Sequence, residues 1–146
     1  MLFDQLKSDL VTAVKNQDQT RVLVLRFLLA EIHNREIELQ EQKQGLTDEL
    51  ILAIIRQEVK RRQEAITAFQ RGQRPDLVAQ ELAEQKILAA YLPAALADEE
   101  LKALIEKIMT EANSKDFGLI MKMVMSRLKG QADGQKVAQI VKSLLD

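Results

Sequence analysis

Lys129-Gly130-Gln131-Ala132-Asp133-Gly134 is a turn held between two amphipathic stretches. Before it, Ile120, Val124 and Leu128 fall on one face at helical spacing; after it, Val137, Ile140, Val141, Leu144 and Leu145 do the same. Gly130 suits the left-handed residue that ends a helix, and Asp133 suits the cap that starts the next one. The stretch reads as a helix–corner–helix, and no other part of the chain offers a better candidate for a functional site.

The surrounding sequence extends that helical reading to the whole chain. Hydrophobic residues make up 47% and charged residues 29% of 146, while aromatics are only 3% and five Gly and two Pro are the only strong breakers. Such a composition predicts an all-α protein with an aliphatic core. Phe3, Leu6, Leu10, Val11 and Val14 predict a first helix, broken at Asn16-Gln17-Asp18. From Val22 to Ile32 the second helix is apolar on nearly all sides, which predicts burial in the middle of a bundle. Gly45 is expected to close it. Thr47-Asp48-Glu49 opens a third helix that Gly72 ends, and Pro75 suits the first turn of a fourth.

Leu92-Pro93 should stop the fourth helix, since proline disfavours helical geometry in the residue before it. We therefore expect an N-terminal domain of about four helices over residues 1–94 and a C-terminal three-helix bundle over 95–146. A fifth helix starts at Asp98-Glu99-Glu100, and Asn113-Ser114-Lys115-Asp116 forms the turn into the helix–corner–helix.

Charge and chemistry narrow the function classes. The formal net charge is −1, so bulk attraction to nucleic acid is excluded and any such contact must be local. There is no Cys, which removes disulfides, thiol catalysis and thiolate metal sites and fits a cytoplasmic protein. The N-terminus lacks the pattern of a signal peptide, and no apolar run has the length to cross a bilayer. His33 is the only histidine, so a histidine-based triad or zinc site lacks partners. Glu36, Glu38 and Glu41 read as a solvated helix face, because a di-metal bundle needs more than one His. Met121, Met123 and Met125 read mainly as gap-fillers. No phosphate loop, dinucleotide fingerprint or Ser beside a base is present. The chain is expected to have no catalytic residues, metal or cofactor of its own.

Two groups of cations remain. Arg56, Lys60, Arg61 and Arg62 lie on the third helix, where Arg56 and Lys60 are one turn apart, but Glu58 and Glu64 among them favour a salt-bridged surface. The other group is Lys122, Arg127, Lys129, Lys136 and Lys142, around the corner.

Gly118, Val124-Met125, Lys129-Gly130, Ala132-Asp133, Val137, Val141 and Leu145 together resemble the C-terminal signature of the GatB/YqeY domain family. Upstream, Leu25-Arg26, Glu36-Ile37-Glu38, Tyr91-Leu92-Pro93 and Glu99-Glu100-Leu101 resemble landmarks of its free-standing YqeY-type members. The resemblance covers nearly the whole chain. It implies a helical N-terminal part with a three-helix tail, and a link to glutamine-dependent tRNA amidation (carbon–nitrogen ligation with glutamine as amide donor), because the tail domain of the amidotransferase B subunit engages tRNA. The catalytic parts of that enzyme have no equivalent here.

Gln131, Gln135 and Leu119 stand where the family often has a basic residue, which thins the patch. The candidate RNA contacts are Lys122, Arg127, Lys129, Gly130, Gln131, Lys136 and Lys142. With Phe117 the only aromatic in the tail, stacking on single-stranded bases is poorly served, and a folded RNA such as tRNA is the better match. The alternative is a helical protein-interaction adaptor with no RNA binding. Oligomeric state is left open.

Overall fold

The computed structural model describes residues 1–128 and 131–146, and among these every regular element is a helix. In chain order they are α1 (Leu2–Lys15), α2 (Gln19–Glu41), α3 (Asp48–Arg71), α4 (Pro75–Ala89), α5 (Asp98–Ala112), α6 (Phe117–Leu128) and α7 (Gly134–Leu145). Two compact units divide them: Met1–Leu92 holds α1–α4, and Pro93–Asp146 holds α5–α7.

Local chemistry places most of the boundaries. The Asp18 side chain accepts from the Arg21 N–H, and the Thr47 hydroxyl from the Leu50 N–H, so two of the long helices begin on side-chain caps. Pro75 occupies the first turn of α4, where its missing N–H costs nothing. Asp133 caps α7 by accepting from the Gln135 N–H at 3.1 Å. The C-terminal ends depart from expectation. α2 stops at Glu41, and the left-handed position falls on Lys43 (φ 57°), not Gly45. The Gln44 N–H reaches back to the Leu39 carbonyl at 2.8 Å, which closes the helix before Gly45 is reached. Likewise Gly72 has φ −80° and the left-handed residue is Gln73. A non-glycine residue there costs about 1–2 kcal/mol, which the surrounding hydrogen bonds must offset.

Each unit has its own apolar core. In the first, Leu6 of α1, Leu25, Leu28 and Ile32 of α2, Ile51 and Ile55 of α3 and Leu88 of α4 are buried together. The expectation that α2 is buried on nearly all sides is corrected: Leu23 is 63% exposed and Phe27 49%. The core takes the side carrying Leu25, Leu28, Ile32 and Leu39, and Leu23 and Phe27 lie on the opposite side of the helix. α1, α3 and α4 cover one side only.

Polar contacts fix how these helices meet. The Tyr91 hydroxyl, just after α4, donates to Asp9 of α1 at 2.5 Å, tying the two ends of the unit together. Burial, then the hydrogen bond to Asp9 and the charge on that carboxylate, hold the phenol well above its usual 10.0. A raised folded value means that the contact stabilises fully below pH 10 and weakens as pH climbs beyond it. Tyr91→Phe should therefore cost about 1–3 kcal/mol at neutral pH and flatten the alkaline fall in stability, as urea unfolding at pH 7 and above pH 10 would measure.

In the second unit, Leu101, Ile105 and Ile108 of α5, Ile120, Val124 and Leu128 of α6, and Val137 and Val141 of α7 are buried with Ala132 of the corner. Met121, Met123 and Met125 all pack against this core as partly buried neighbours. Asn113, in the left-handed conformation (φ 47°), caps the end of α5.

Candidate functional site

Within the second unit charge is segregated by helix. α5 carries Asp98, Glu99, Glu100, Glu106 and Glu111 against Lys102 and Lys107, whereas Gly118–Leu145 carries five cations against Asp133 alone. The turn is anchored from both sides. The Gln131 N–H donates to the Leu128 carbonyl at 3.0 Å, and the Gln131 carbonyl accepts from the Leu96 N–H at 3.1 Å. Gln131 thus serves the corner through its backbone. Lys129 and Gly130, the first two residues of the motif, lie outside the described residues.

The remaining cations do not converge. Arg127 Nη2 pairs with Glu111 Oε2 at 2.6 Å, and Lys136 pairs with Asp98. Those two carboxylates are thirteen positions apart on α5, about 20 Å along its axis at 1.5 Å per residue. Lys122 is exposed on the outer side of α6, turned about 140° from Arg127 around the axis, and has no ion pair among the described residues. The Lys142 ammonium lies 5.7 Å from the centre of the Phe117 ring. Such a layout cannot enclose a small anion. The cations are dispersed, and Arg127 and Lys136 are already paired with acids of α5.

The second cation group is an interhelical clamp. Arg61 pairs with Glu58 of its own helix at 2.8 Å and with Glu31 of α2 at 3.4 Å. Arg62 Nη1 pairs with Glu81 of α4 at 3.1 Å and also with Glu84. Arg56 and Lys60 have interactions of their own as well. Arg61 and Arg62 therefore join α3 to α2 and α4; the Arg61 side chain stays 56% exposed, whereas that of Arg62 is only 15% exposed. Glu58, expected on a salt-bridged surface, is instead buried. The signal was present: Ile51, Ile55, Glu58, Arg62 and Ile66 step by three or four along α3, so both charged residues sit in the core register.

His33 is exposed, with Nδ1 3.7 Å from Glu36 Oε1. Among the described residues no group of three or more His, Asp or Glu could hold a metal ion, and no helix is long and apolar enough to cross a membrane.

The sequence profile of the family described as Yqey-like protein matches residues 3–145. The chain belongs to that family. Relatives of the YqeY-like chain include "Altered inheritance of mitochondria protein 41, mitochondrial" from Kluyveromyces lactis, 31% identical over 84% of this chain and 66% of the relative. The protein of the same name from Eremothecium gossypii is 33% identical over 84% of the chain and 67% of the relative. That from Lachancea thermotolerans is 29% identical over 94% and 75%. The YqeY-like chain thus spans about two thirds of the first of these, and the names place all three relatives in mitochondria.

Proposed function

We propose that this YqeY-like chain is a non-catalytic accessory module that binds folded RNA such as tRNA through the α6–corner–α7 segment, in association with glutamine-dependent tRNA amidation. The observation that carries it is the segregation of cations onto Gly118–Leu145, outside the core and too dispersed for a mononucleotide. Lys122, Arg127, Lys136 and Lys142 are the described contacts; Lys129, with Gly130 and Gln131, completes the set. The residues 95–146 act in this reading as the tail-type domain. Cytoplasmic residence belongs to it too, supported by the cysteine-free sequence.

The ion pairs to Glu111 and Asp98 do not oppose the reading strongly. Both are solvent-exposed, and exposed pairs contribute at most about 1 kcal/mol, the same order as a phosphate contact that releases condensed counterions.

The test is fluorescence anisotropy with bulk folded tRNA at several salt concentrations. Three or four phosphate contacts should weaken binding roughly 40- to 150-fold between 50 and 200 mM salt. Lys122→Ala with Lys136→Ala should flatten the log–log slope by about two. Asp98→Asn with Glu111→Gln should instead tighten binding by roughly two- to fivefold, because each frees a cation from an exposed pair. Absence of binding at low salt, or an unchanged slope in the lysine variant, would sink the assignment and leave the protein-interaction adaptor. Turnover of glutamine by the purified chain alone would overturn the non-catalytic part.

A further inference from the structure

On the side of α2 facing away from the core, Leu23, Phe27, Ala30, Asn34, Ile37 and Glu41 are all exposed, Ile37 to 44%. Their steps are four, three, four, three, four. That is the spacing of a coiled-coil seam, with Leu23, Ala30 and Ile37 at one core position and Phe27, Asn34 and Glu41 at the other. Nothing in the first unit needs this stripe, since its own core lies on the opposite side of the helix.

We infer that the stripe is the contact surface for a second copy of this chain, with the two α2 helices side by side and parallel about a two-fold axis. Charge selects the partner and the direction. One edge of the seam carries Arg26 and His33, the other Glu31 and Glu38. In a parallel pair the first edge meets the second, five positions on: Arg26 against Glu31 of the second copy, and His33 against Glu38. An antiparallel pair brings the acidic edge against itself. Asn34, a lone amide in the seam, meets its own counterpart only in the parallel register, the arrangement in which such a residue fixes alignment.

The intrachain contacts agree. Glu31 and Glu58 share the single guanidinium of Arg61, and Glu31 is held above its usual carboxylate range by burial and by Glu58. Arg26 is exposed and has no ion pair among the described residues. The second copy's Arg26 supplies a second cation to the two carboxylates that share Arg61. A seam of two heptads covers less than the ~800 Å² per partner of a standard interface, so the dimer is weak, with a dissociation constant on the order of 10–500 μM.

Sedimentation velocity on the full chain over that range tests it: a monomer–dimer equilibrium is expected, and Phe27→Glu, at an exposed position, should weaken it at least about tenfold with helicity unchanged. Should Phe27→Glu lose helicity, Ile37→Glu serves in its place. Because the chain has no Cys, Leu23→Cys reports direction. It should form a disulfide-linked dimer with itself under mild oxidation, whereas an antiparallel pair holds the two positions more than about 20 Å apart. A chain that stays monomeric at 500 μM, a dimer indifferent to both glutamates, or Leu23→Cys that links only to Ile37→Cys would each overturn the inference.

Discussion

Arg62→Ala is expected to destabilise the first unit by about 3–5 kcal/mol, lowering its melting temperature by on the order of 15–30 °C. Arg62 lies between α3 and α4 with its side chain only 15% exposed, and Glu81 and Glu84 converge on its Nη1. Removing the guanidinium leaves two largely buried carboxylates facing each other with no cation between them. The cost comes from that uncompensated charge, and the pair itself contributes little, because burying the three groups already cost desolvation. A triple replacement separates these statements: Arg62→Met with Glu81→Leu and Glu84→Leu should be neutral or stabilising by about 1–4 kcal/mol. The Arg62 Nε is buried without a hydrogen-bond partner, which lowers the net value of the native cluster further. Calorimetry of the two variants decides it. An Arg62→Ala loss under about 1 kcal/mol would mean that α3 and α4 are held by their apolar contacts alone.

The clamp also shows where the sequence was legible and where it was not. Helix starts are local chemistry: Thr47, Pro75 and Asp133 each act within three residues, so their roles could be read directly. Helix ends were harder. Lys43 and Gln73 adopt the left-handed conformation that glycine would take at less cost, and local bonds from the Gln44 and Arg74 N–H groups to the Leu39 and Phe69 carbonyls close those helices. The faces of α2 were misjudged because a dense apolar run has no polar side to orient it, and only α1, α3 and α4 decide which side is covered.

The candidate interface failed to be legible for a related reason. Counting cations from Lys122 to Lys142 says nothing about Glu111 and Asp98, which reach Arg127 and Lys136 from another helix. Likewise, Glu58 and Glu64 marked the arginines of α3 as a salt-bridged surface, but the partners on other helices, Glu31, Glu81 and Glu84, are not visible in that local pattern. Ion pairing across helices depends on topology, and one-dimensional charge patterns record only pairs within a turn or so.

Ile105→Ala separates the two units. Ile105 is fully buried in the middle of α5, against α6 and α7, and its truncation should cost about 2–5 kcal/mol through lost burial and the cavity left behind. A unit as small as Pro93–Asp146 buries only about 60% of its unfolded surface, so its total stability is of that same order. Hydrogen exchange followed by mass spectrometry should therefore show amides of α5–α7 losing protection by roughly 30-fold or more, with those of α1–α4 nearly unchanged. Equal loss along the whole chain would mean one cooperative fold and would refute two separately packed cores. The same variant divides the functional proposals. If RNA binds through α6–corner–α7, tRNA affinity collapses with the second unit. The association through Leu23, Phe27 and Ile37 lies entirely on α2 and should survive, so loss of both together would argue that neither surface has been correctly assigned.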